Sequence, residues 1–112
     1  MKYMLLHYTD PTRELTPDEV ADDQKGITSW LEYVDNGIRL DGDRLRPAAD
    51  TTTVRMPAGE LLVADGPYAE TKEQIAGYDV IECADLDEAI EVASRHPIAR
   101  YGTVEIRPFW PM

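Results

Sequence analysis

Residues 2–9, Lys2-Tyr3-Met4-Leu5-Leu6-His7-Tyr8-Thr9, carry apolar or aromatic side chains on both alternating faces. Successive side chains of a strand point to opposite sides, so Tyr3 and Leu5 share one face while Met4, Leu6 and Tyr8 share the other. A strand with one face in water would be polar on that side. This one reads as a central strand covered on both faces. His7 lies on the face of Tyr3 and Leu5, an imidazole at mid-strand on an apolar surface.

Working outward, Thr16-Pro17-Asp18-Glu19 marks a helix start. Thr16 can cap, Pro17 suits the first turn, and Glu19 can close a capping box. Val20, Ile27, Leu31 and Val34 then form a helical stripe with Trp30 beside it, and Gly37 supplies a stop. Residues 38–64 read as a meander punctuated by Asp41-Gly42 and Pro57-Ala58-Gly59, with strand-like segments at 51–54 and 60–64. Residues 65–73 are polar and turn-rich. A strand is expected over 75–83, with Gly77 as a bulge. Asp85-Leu86-Asp87-Glu88 repeats the capping logic, Leu86, Ala89, Ile90 and Ala93 make the second helical stripe, and Arg95-His96-Pro97 ends it. The last strand is expected over residues 103–108, where Val104 and Ile106 alternate with polar residues.

The order is therefore strand, helix, two or three strands, helix, strand. That is an α+β pattern, the split βαβ arrangement with two helices on one face of an antiparallel sheet. The other face needs a cover, since the first strand is apolar on both sides. A second copy of the chain is the economical one, so a homodimer is expected.

The 112 residues suit a single domain over 1–112, with no repeat or linker. Eleven basic against 22 acidic residues give a formal net charge of −11. Such a surface repels a duplex or an anionic membrane, and there is no basic run, so neither nucleic acid nor membrane is an expected partner. Solubility is the simplest reading of the acidity, and a cytoplasmic location is expected. No stretch approaches the roughly 18 apolar residues of a membrane span. The lone Cys83 has no partner for a disulfide, and its acidic neighbours argue against a reactive thiolate. Neither metal-ligand spacing nor a dinucleotide, phosphate-loop or serine-hydrolase motif is present, so no metal and no cofactor is expected.

The most specific signal is Asp65-Gly66-Pro67-Tyr68-Ala69-Glu70-Thr71-Lys72-Glu73. With Met1–Leu6, Gly77-Tyr78, the Asp85 helix start, Arg95-His96-Pro97 and Val104-Glu105-Ile106-Arg107-Pro108-Phe109, it resembles the YCII-related family in its DGPF-motif branch. Tyr68 stands where the motif has phenylalanine, which keeps the ring and adds a hydroxyl. The resemblance covers essentially the whole chain. It implies a ferredoxin-like fold pairing as a dimeric α/β barrel, with a pocket between helices and sheet. It also implies a His–Asp active site. A few relatives act on chlorinated aromatics, and some members of the branch are encoded beside, or fused to, sigma factors.

His7 is the foremost candidate for chemistry, because imidazole beside a carboxylate can accept and return a proton. The alternative is a core histidine bonded to backbone. Asp65, at a strand end, is the expected catalytic partner, or else it caps its own turn. Tyr68, Glu70 and Arg107 are the candidate substrate-binding residues: an aromatic wall, a loop carboxylate and a guanidinium that could hold an anion. Each has a structural alternative in packing, solvation or pairing. His96, at a helix end, is expected to act as a cation against the helix dipole. Two functions follow: an acid–base enzyme for a small cyclic or aromatic molecule, or a non-catalytic ligand-binding or regulatory module.

Overall fold

The two-sided strand does lie inside a sheet. In the computed structural model, which describes residues 1–111, β1 (Lys2–Thr9) is flanked by β5 (Gln74–Glu82) and β6 (Thr103–Pro108), and β2 (Arg39–Arg44) completes the order β2-β5-β1-β6. Every pairing is antiparallel. α1 (Pro17–Val34), α2 (Leu86–Ser94) and the short α3 (Ile98–Tyr101) complete the α+β fold. β3 (Thr52–Arg55) and β4 (Leu62–Asp65) form a ribbon of their own, with Val54, Met56, Leu61 and Val63 exposed.

Both main helices start where their caps predict. Thr16 accepts from the Glu19 N–H at 3.2 Å and Glu19 answers at the Thr16 N–H at 3.0 Å, while Asp85 accepts from the Glu88 N–H at 2.9 Å. Gly37, at φ 92°, carries the chain out of α1 in a conformation that only glycine adopts easily.

The buried face of each helix is shifted from the expected stripe, sharing with it Val34 in α1 and Ala89 and Ala93 in α2. Val20, Leu31, Leu86 and Ile90 are exposed, whereas Trp30 and Val34 of α1 and Ala89, Val92 and Ala93 of α2 are buried. The apolar residues of each segment extend beyond its contact, and docking selected the edge that brings Trp30 to α2. Its indole Nε1 donates to the Val92 carbonyl at 2.9 Å, and the small Ala89 and Ala93 let α2 lie close.

β2 is the second difference. Asp41-Gly42, expected as a turn, lies within the strand at a bulge between Arg39 and Asp41. Gly42 stands opposite Asp79, and a Cβ there would overlap the Asp79 carboxylate. Close approach, not turn geometry, requires the glycine.

Tyr3, Leu5 and His7 face the helices and are buried; Met4, Leu6 and Tyr8 lie on the helix-free face and are half-buried. The core beneath the helices joins Leu5, Ile81, Val34 and Val92, all fully buried. Leu5→Ala is therefore expected to lower unfolding free energy by about 3 kcal/mol, measured by urea denaturation.

Candidate active site

A carboxylate in the middle of a buried strand is unstable without partners. Asp79 occupies that position in β5, 6% exposed, opposite Leu5 and diagonal to His7. Its Oδ2 meets His7 Nε2 at 2.7 Å, and its Oδ1 accepts from Arg39 Nε at 2.8 Å. Arg39 also donates through Nη2 to the Gly42 carbonyl at 2.8 Å. Three adjacent strands are thus tied through one carboxylate. The Arg39 guanidinium offsets the Asp79 charge.

An ionised carboxylate only accepts hydrogen bonds, which assigns the proton on His7 to Nε2. His7 Nδ1 then carries a lone pair in the neutral ring. This atom is buried and has no hydrogen-bond partner among the described residues. An unpartnered buried nitrogen is uncommon enough to need a reason.

His96 covers His7. Their rings stack with centroids 4.3 Å apart and planes 22° from parallel, and Trp30 meets His96 edge-on at 4.7 Å. His96 continues the buried face of α2 past its end, and its Nδ1 accepts from the Ile98 N–H at 3.1 Å at the entry to α3. Burial pushes its pKa down to about 4, helped by His7 and opposed by Asp79. His96 is therefore neutral at neutral pH, and the expected role as a dipole-facing cation does not hold. The Cys83 thiol is pushed up, first by burial and then by Glu88, Glu82 and Asp85 against the N-terminal amine, in line with an unreactive side chain.

The residues singled out from sequence are dispersed within the chain. Asp65 ends β4, exposed, opposite Thr52 in the separate ribbon. Tyr68 is 79% exposed and Glu70 is exposed on the same loop. Arg107 stands opposite Met4 on the helix-free face, away from His7. The carboxylate that bonds His7 is Asp79, which sequence reasoning passed over together with Arg39, while His96 was read only as a cation at a helix end. The signal was present: Tyr78-Asp79-Val80-Ile81 places a lone acid in an apolar strand, where a charge seldom stays without a partner.

His7, Asp79 and His96 also bring three ligand-type atoms within 4.8 Å of one another. The arrangement does not fit a metal ion. Imidazole lone pairs lie in the ring plane, so stacked rings aim them side by side instead of at one point, and both Asp79 oxygens are already engaged.

His96 makes stability acid-sensitive. Its pKa is about 4 in the folded state against 6.5 for the free group, so the unfolded chain takes up the proton first as pH falls. The contribution is complete above about pH 6.5 and lost progressively toward about pH 4, up to about 3 kcal/mol. His96→Phe keeps the ring and removes the titration. Its urea midpoint is expected to fall less than that of the wild type between about pH 7 and pH 4.

Comparison with known proteins gives three findings. An uncharacterised protein of Rhizobium meliloti (strain 1021) is 44% identical over 79 residues, which are 69% of this chain and 64% of that protein. The structure of 5-chloro-2-hydroxyhydroquinone dehydrochlorinase (TftG) from Burkholderia phenoliruptrix AC1100, in complex with 2,5-dihydroxybenzoquinone, superimposes with a TM-score of 0.54. That superposition covers 98% of this chain and 94% of the other at 10% identity, a likeness of fold. The sequence profile of the YCII-related domain matches residues 1–112, and the chain belongs to that family.

Proposed function

We propose that this protein is a cofactor-independent acid–base enzyme acting on a small cyclic or aromatic molecule, with His7 as the proton carrier. One observation carries the reading: His7 Nε2 is held by Asp79 while Nδ1 is left buried with no hydrogen-bond partner among the described residues. A base needs a lone pair that nothing else uses, and a carboxylate behind it that fixes the tautomer and steadies the cation formed on protonation. Asp79 meets the second requirement, and Arg39 orients it through a 2.8 Å bond to Oδ1. The fold of the dehydrochlorinase accommodates 2,5-dihydroxybenzoquinone in that protein, which supports a substrate of comparable shape here.

His7 is only 4% exposed, with His96 stacked on it. On this reading the turn carrying His96 has to move aside to admit substrate. The same burial favours a second reading, in which the cluster is structural and the protein is a binding or regulatory module.

We place the chain in the DGPF-motif branch on the strength of residues 65–73, and in the cytoplasm. We assign its helix-free face to a homodimer. Met4, Leu6, Tyr8, Tyr78 and Val80 share that face, and Asp41, Asp43, Glu105 and Arg107 edge it. We assign Asp65, Tyr68, Glu70 and Arg107, none of which bonds His7, to substrate contacts made across that dimer. Sedimentation velocity is expected to give the mass of a dimer, and Leu6→Lys that of a monomer.

The chemistry is tested by following deuterium incorporation at the ring C–H of hydroxyquinones, and chloride release from a chlorinated hydroxyhydroquinone. The wild type is expected to accelerate at least one of these over buffer. His7→Gln should fall by about 100-fold or more, and Asp79→Asn should fall as well. An inactive wild type, or an unimpaired His7→Gln, overturns the reading; ligand-induced shifts without turnover select the binding module.

A further inference from the structure

At the Thr9 end of β1, a cavity of about 380 Å³ opens beside the ends of β2 and β5 and under Tyr101 of α3. Arg13, Arg44 and Arg46 all line it, with Thr9 and Gln74. They come from the β1–α1 connection, the end of β2 and the segment after it. In a chain with 22 acidic and 11 basic residues, three guanidinium groups around one hollow are a local concentration of positive charge.

The acid in the lining is already engaged. Asp10 accepts from the Thr12 N–H at 2.9 Å and the Thr12 hydroxyl at 2.7 Å, bonds that hold its carboxyl below the usual range. The charges of Lys72 and Arg13 lower Asp10 further. Arg13 meets Glu19 at 3.3 Å and Arg46 meets Asp50 at 3.0 Å, both exposed pairs of the kind that contribute little and exchange readily. Arg44 has no ion pair among the described residues. Leu15, Leu45 and Ile75 supply apolar wall between the cations.

We propose that this cavity binds a small organic acid, its carboxylate held by Arg44 and its neighbours and its ring or chain laid on the apolar wall. Guanidinium matches carboxylate geometry two bonds at a time, and a bare inorganic anion would leave the wall in water. The inference also accounts for the motif loop, which takes no part in the His7 cluster. Gln74 lines the cavity, and its Nε2 donates to the Ala69 and Thr71 carbonyls and the Thr71 hydroxyl, each at 3.0 Å. Residues 69–72 are thereby moored at the rim. None of this rests on the proton-transfer reading.

The test is an NMR titration of the full chain with benzoate, benzamide and inorganic phosphate. Saturable benzoate binding is expected, with shifts centred on Arg44, Gln74 and residues 69–72, and with affinity falling as salt is added. Benzamide and phosphate should bind about tenfold more weakly or worse, and so should benzoate to Arg44→Met and to Arg46→Met. Arg55→Met on the ribbon and His7→Gln should bind benzoate as the wild type does. This separates failure here from failure of the acid–base chemistry. Benzamide equal to benzoate, or undiminished binding by both cavity variants, overturns the site; phosphate equal to benzoate overturns the organic acid as its ligand.

Discussion

The Asp79 carboxylate, buried between His7 and Arg39, is the constraint around which the helix side of the sheet is built. A carboxylate at that depth needs partners on both oxygens, and it has them at 2.7 Å and 2.8 Å. From this follow the approach of β2, which must bring Arg39 within reach, and the glycine at position 42, where any side chain would collide with the carboxylate. The tautomer of His7 follows as well. Removing one partner would leave the others buried and unbalanced, so the three act as one unit.

The histidine pair is the second level of the same arrangement. His96 is carried to His7 by the end of α2, and α2 is itself tied to α1 through Trp30. Burial keeps His96 neutral, so it packs against His7 as a flat apolar cover instead of adding a charge. A buried base beneath a cover on a helix-terminal turn can be stable in the resting fold and still be uncovered by a local motion. A rigid core histidine would ordinarily have both nitrogens engaged.

Charge is distributed unevenly for so acidic a chain. Arg39 neutralises the buried acid, and Arg13, Arg44 and Arg46 gather at one hollow. Glu19 and Asp85, by contrast, cap helix starts. The net charge of −11 therefore describes the exterior and says little about either cavity or cluster.

Local physics was legible in the sequence. Alternation on both faces marked β1 as an inner strand, the Thr16 and Asp85 caps placed both helices, and the whole-chain resemblance named the family that the comparison shows. His7 was identifiable as an imidazole on the helix side. Its partner was not, because the choice between Asp65 and Asp79 depends on strand order and register, and those arise from pairings 72 residues apart. The helix phases escaped for a related reason: an apolar surface wider than the contact lets docking select the edge. Periodicity and capping are properties of neighbours in sequence, and the sequence alone determines them. Which carboxylate meets which imidazole is a property of neighbours in space, and only the tertiary structure decided it.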